Sequence, residues 1–280
     1  MIYDARACGL GEGPLWHPVR EQLFWFDITG RRLLTRKGDN LQEWHFAEIV
    51  SAAGWTGTDG LFIASETGLF QLDLDTGTRT PVCPLEAQNP GTRSNDGRAD
   101  PQGGFWIGTM SKSEERGAGA IWRWYRGELR CLYPRISIPN AICFTPDRRT
   151  AHFADTVTGC VMRVALDADG WPRGPPETYL DLRAEGLNPD GAVVDAEGRL
   201  WLAEWGASRV AAYAPDGTRL MTVAFPAPHT SCPAFGGTTL FCTTALHHMT
   251  DAARATHPGA GCTFAATNVA KGQSEHKVIM

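Results

Sequence analysis

The chain has 280 residues, of which 42% are hydrophobic and 20% charged, with a formal net charge of −5. No run approaches the roughly 18 apolar residues of a membrane helix, and no long Lys/Arg cluster offers a surface to nucleic acid or an anionic membrane. The 10 Trp and 12 Phe call for a large aromatic core, and Met1-Ile2-Tyr3-Asp4 lacks the basic-then-apolar pattern of a signal peptide, so a cytoplasmic location is expected.

In chain order, short aromatic and β-branched runs alternate with Gly, Pro, Asn and Asp turns, and helical periodicity is nearly absent. Leu15-Trp16-His17-Pro18 leads through a polar turn to Leu23-Phe24-Trp25-Phe26-Asp27. Thr58-Asp59-Gly60 leads to Leu61-Phe62-Ile63, and Asp100-Pro101-Gln102-Gly103 to Phe105-Trp106-Ile107-Gly108. Phe144-Thr145-Pro146-Asp147 precedes Ala151-His152-Phe153-Ala154-Asp155, and Asp195-Ala196-Glu197-Gly198 precedes Leu200-Trp201-Leu202-Ala203-Glu204. Phe235-Gly236-Gly237 leads to Leu240-Phe241. Six copies recur at roughly 40–50 residues, the period of propeller blades. The expected fold is therefore all-β, a six-bladed β-propeller forming one domain over residues 1–280. Ile2-Tyr3-Asp4-Ala5 supplies the last blade's missing strand, and "GCTFAATNVAKGQ" an outer strand of that blade; "SEHKVIM" has no assigned place. The 8 Cys form no C-x-x-C pair and read as free thiols, mostly buried in strands.

Equivalent positions at the start of four blades carry Glu12, Asn95, Asn140 and Asp190. Repeat symmetry brings them to one mouth of the central channel. Any one of them reads equally well as a turn residue, as Asn95-Asp96-Gly97 does. Together, two carboxylates and two amide carbonyls suit a divalent cation such as Ca²⁺, Mg²⁺ or Mn²⁺; without His or Cys, Zn²⁺ suits less well. Two carboxylates converging without a cation would repel.

Other chemistries fit poorly. Ser94 and Ser208 lack a G-x-S-x-G setting, and no H-E-x-x-H occurs among the 8 His. His247-His248 reads as an exposed loop, His17 as structural, and Trp16, Trp106 and Trp201 as core. Gly9-Leu10-Gly11-Glu12-Gly13 has the wrong spacing for a phosphate loop.

The segments "LGEGPLWHP", "SNDGRADPQGGFWIGTM", "GAIWRW", "IPNAICFTPD", "ADT", "NPDGAVVDAEGRLWLAEWG" and "CPAFGG" occur in this order. With them the chain resembles the regucalcin / gluconolactonase (sugar lactonase) family. The resemblance implies a six-bladed β-propeller with one divalent metal at the mouth of the central channel. It implies Glu12, Asn140 and Asp190 as metal ligands, and Arg93, Asn95 and Glu115 as substrate-binding residues, with Asn95 near the metal. The implied reaction is hydrolysis of a sugar lactone to the aldonic acid, with Asp190 as the candidate catalytic base. A small-molecule lactone is then the partner; oligomeric state is not readable. The competing readings are a calcium-binding or scaffold propeller without catalysis, and a metal-dependent esterase or phosphotriesterase.

Overall fold

Each repeat folds into a four-stranded antiparallel sheet, and six such sheets form the ring of a β-propeller. The computed structural model describes residues Met1–Met280. Five blades use consecutive strands, beginning with Gly11–His17, Val50–Gly57, Thr92–Ala99, Pro139–Phe144 and Asn188–Val194. The sixth begins at Thr230–Gly236 and ends with a borrowed strand. Ile2–Asp4 lies outside Thr263–Ala266, with Ile2 opposite Phe264, so the first residues of the chain close the ring. The segment expected as an outer strand of this blade therefore lies one place further in.

The Asp-x-x-Gly turns have a common chemistry. Asp100 accepts hydrogen bonds from the backbone N–H groups of Gln102 and Gly104, both at 2.9 Å, while its other oxygen takes the buried Arg123 Nε at 2.7 Å. Asp195 repeats this with the N–H groups of Glu197 (2.9 Å) and Arg199 (3.0 Å), and with Trp201 Nε1 at 2.8 Å. A carboxylate that replaces backbone acceptors fixes each hairpin before the aromatic strand begins.

Packing is between neighbouring blades. Phe62 of the second blade meets Phe105 of the third edge-on at 5.5 Å and Trp124 at 4.8 Å. Trp106 and Trp201 are fully buried, as the core reading requires, whereas Trp16 is only partly so. Each large side chain removed from water contributes about 1.5–3 kcal/mol. His17 is buried with Nε2 at 2.9 Å from the Gly57 carbonyl, a structural role.

Two features position the site. The innermost strand of every blade shifts register near its channel-facing residue: at Glu12/Leu15, Val50/Ala52, Ser94/Gly97, Asn140/Cys143, Pro189/Ala192 and Thr230/Cys232. Asn95-Asp96-Gly97 therefore lies within a strand and not in a turn. Such bulges re-aim side chains that strict alternation would send into the sheet. Gly13 follows Glu12 at φ +52, where a Cβ would stand 2.3 Å from the Ser51 carbonyl oxygen. Gly191 follows Asp190, and a Cβ there would meet Cys232 Sγ at 2.3 Å.

The second feature is the C-terminal segment, of which the sequence left residues 274–280 without a place. Gln273 Nε2 donates to the carbonyls of Phe144 (2.7 Å) and Val194 (3.0 Å), and Glu275 pairs with Arg98. Val278 is fully buried beside Ala52, Phe62 and Phe105, while the Ile279 N–H bonds the Gly103 carbonyl. The tail thus ties the second, third, fourth and fifth blades together.

Candidate functional site

Glu12, Arg93, Asn95, Asn140 and Asp190 line one cleft, together with Leu10, Met110, Glu114, Ile138, Thr156, Trp205, His247 and His248. Five of the six residues expected from the sequence are thus brought together. Glu115 is exposed and does not line the cleft; its neighbour Glu114 does. A larger groove of about 730 Å³ lies between the fourth blade, around His152, Arg163 and Tyr179, and two turns of the fifth. It is remote from this cluster of carboxylates and amides.

Glu12, Asn95, Asn140 and Asp190 are all buried. Burial raises the proton affinity of both carboxyls, and each is raised further by neighbouring carboxylates: Asp96 acts on Glu12, and Glu12 and Asp96 act on Asp190. Arg93 offsets part of this at both groups. Asp96, outside the six residues expected at the site, is a third buried carboxyl, pushed up to about 6 by burial. Its Oδ2 accepts the Ile142 N–H at 2.7 Å and holds the third blade to the fourth. Arg93 is pulled down to about 10 by burial, against the opposing pull of Glu12, Glu114 and Asp190.

A hydrogen-bond chain crosses three blades. Arg93 Nη1 donates to Asn95 Oδ1 at 2.8 Å, and Asn95 Nδ2 donates to Asn140 Oδ1 at 3.1 Å and to the Pro139 carbonyl at 2.9 Å. Asn140 Nδ2 donates to Thr156 Oγ1 at 2.8 Å, and Thr156 Oγ1 donates to the Pro189 carbonyl at 2.8 Å, next to Asp190. Each amide is thereby fixed in one orientation. Thr156 falls within "ADT", and nothing in its local sequence marks it as part of a site.

The donor set suits a hard divalent cation. Glu12 and Asp190 carry acceptor oxygens in a site where their mutual repulsion lacks full compensation, and Asn140 turns its Oδ1 away from Thr156.

The His247-His248 pair lies in a loop with His248 exposed, as the sequence suggests, but the loop also has partners across the ring. It borders the cleft, and both imidazoles face Glu114 Oε1, with Nε2 at 3.7 Å and 3.1 Å respectively. Trp205 stacks on His229 at 4.3 Å on another part of the wall.

Fold and cleft together define a six-bladed propeller whose inner strands present carboxylates and amides to one shared cavity. Residues 10–246 match the SMP-30/Gluconolactonase/LRE-like family, and the chain belongs to it. It is similar to a Rhizobium meliloti protein whose name assigns it provisionally to the sugar lactone lactonases, with 43% identity over 96% of this chain and 93% of that one. An L-arabinolactonase of Azospirillum brasilense is 34% identical over 95% of this chain and 90% of its own. The crystal structure of a calcium-binding protein, regucalcin, from Agrobacterium tumefaciens superimposes with a TM-score of 0.97 at 38% identity, covering 100% of this chain and 97% of that one. No helix is long and apolar enough to cross a membrane.

Proposed function

We propose that this protein hydrolyses a sugar lactone to the aldonic acid with the help of one divalent cation. The observation that carries the reading is the convergence of Glu12, Asn140 and Asp190 with Arg93 and Asn95 in one cleft, in a chain whose relatives are named as lactonases. Glu12, Asn140 and Asp190 would hold the cation; when bound it supplies Lewis acidity toward the lactone carbonyl and the oxyanion that develops there. The oxygen donors favour Ca²⁺, Mg²⁺ or Mn²⁺ over Zn²⁺.

The chain's own groups do the rest. Asp190 accepts a proton from the attacking water as the new C–O bond forms at the carbonyl carbon, and returns it to the ring oxygen as the ring C–O bond breaks. Burial and the neighbouring carboxylates raise the proton affinity of Asp190, and a bound cation would oppose that rise. Arg93 donates to the sugar hydroxyls and to the product carboxylate, positions its fork is built to bridge. Asn95 holds Arg93 in place and touches Asn140, so substrate contacts and cation ligands form one connected network.

Asp190→Asn tests this directly. It preserves size but removes the base, and kcat on aldonolactones should fall at least about 100-fold. Unchanged kcat in that variant overturns the role of Asp190.

A further inference from the structure

Glu114 and His248 share an unusual backbone. Neither is glycine, yet both have left-handed φ, +58 at Glu114 and +62 at His248. Such conformations cost free energy and persist where the surroundings impose them. At His248 the turn has a plain consequence. Side chains of successive residues in extended chain point to opposite sides, but here the His247 and His248 rings lie on one side, with centroids 3.8 Å apart. Both turn their Nε2 atoms to the same oxygen of Glu114, at 3.7 Å and 3.1 Å.

The elements that bring them together are far apart in the ring. Glu114 lies in the loop after Phe105–Ser111 of the third blade, and the His pair follows Thr239–Thr244 of the sixth. In a six-membered ring these blades stand opposite one another. The loops therefore meet over the cleft that holds Glu12, Asn140 and Asp190, and all three side chains border it.

We propose that Glu114, His247 and His248 form a second cation site, separate from the Glu12–Asn140–Asp190 set, which takes a borderline transition metal such as Zn²⁺ and clasps the mouth of the cleft. The three ligand atoms already lie within 4.8 Å of one another. Two ligands on one ion at bond lengths of about 2.0–2.2 Å stand roughly 3–3.6 Å apart, so small side-chain rotations complete the site. Two imidazoles and one carboxylate are a recurrent Zn²⁺ donor set that leaves a position open for water. The oxygen donors below favour hard cations instead, so one mouth would hold two ions of different class. Binding at the rim joins opposite blades and narrows access; that consequence for turnover rests on the lactonase reading, whereas the binding does not.

The test is calorimetric titration of the whole protein with Zn²⁺ alone. Wild type should bind one more equivalent than His247→Ala/His248→Ala, and Glu114→Gln, a change at an exposed loop residue, should weaken that equivalent at least about 10-fold. A Glu12→Gln/Asp190→Asn variant should keep the His-dependent equivalent even though its other site is lost, which separates this proposal from the proposed function. In assays supported by Mg²⁺ or Ca²⁺, added Zn²⁺ should raise KM in wild type and not in the His variant. Equal Zn²⁺ stoichiometry and affinity in wild type, the His variant and Glu114→Gln overturns the site. Zn²⁺ binding at the rim with KM and kcat unmoved overturns the clasp.

Discussion

Thr156 Oγ1 accepts a hydrogen bond from Asn140 Nδ2 at 2.8 Å and, together with Asn95 Nδ2 donating to Asn140 Oδ1 at 3.1 Å, fixes the orientation of the Asn140 amide. Thr156 itself is held because its hydroxyl donates to the Pro189 carbonyl at 2.8 Å. Thr156 thus helps to orient a proposed cation ligand. Thr156→Val keeps the shape and removes the acceptor, so cation affinity should fall about 10–100-fold while Thr156→Ser stays near wild type. Calorimetric binding of Mg²⁺ or Ca²⁺ checks this; equal affinities in all three proteins would show that Asn140 is oriented by other means.

Arg93 separates a hydrolase from a calcium store. Its guanidinium stands among carboxylates and bonds Asn95, at 2.8 Å, and the Ser94 carbonyl, at 2.9 Å. Arg93→Ala should retain the cation, because it removes a positive charge from the neighbourhood, and should lose turnover by about 10–1,000-fold, the scale of one or two hydrogen bonds to a charged donor. Hydrolysis at the wild-type rate in this variant would remove Arg93 from the reaction.

Much of this arrangement was readable before the fold was known, for a definite reason. The blade period and the aromatic strands reflect how each sheet packs on its neighbours, and the repeat position of Glu12, Asn95, Asn140 and Asp190 marks the same bulge in four blades. What stayed hidden depends on loop conformation. Glu115 was expected from the family resemblance alone, and the irregular loop that carries it, left-handed at Glu114, turns Glu114 and not Glu115 to the cleft. His247-His248 carried no local sign of the partner across the ring. The tail 272–280 makes its contacts with four blades remote in sequence, and no period connects it to them.

That tail supplies a stability test. Arg98 and Glu275 pair with side-chain exposures of only 8% and 7%. Glu275→Ala leaves the guanidinium buried without its partner and should cost about 3–5 kcal/mol, whereas Arg98→Met/Glu275→Leu, which removes both charges, should recover most of it. Denaturant unfolding at constant pH measures both. A loss below about 0.5 kcal/mol in Glu275→Ala would mean that the pair is solvated.

His152 gives a pH signature outside the cleft. Burial, aided by the nearby Arg163 charge, lowers its pKa from 6.5 to about 4. The unfolded chain therefore takes up a proton first as pH falls. Stability relative to the non-titrating His152→Leu should be constant above about pH 6.5 and should decline from there toward pH 4, by at most about 1.4 kcal/mol per pH unit. Parallel stability curves for wild type and variant across this range would show that His152 titrates normally.

The central claim is that a divalent cation held by Glu12, Asn140 and Asp190 supports lactone hydrolysis. The most direct measurement is the initial rate of D-glucono- and L-arabinolactone opening by protein stripped with chelator, before and after adding back Ca²⁺, Mg²⁺ or Mn²⁺, corrected for spontaneous hydrolysis. The account predicts a loss of at least about 100-fold on stripping, recovery with one of these ions, and no recovery in Glu12→Gln. Full activity in the metal-free protein would contradict it.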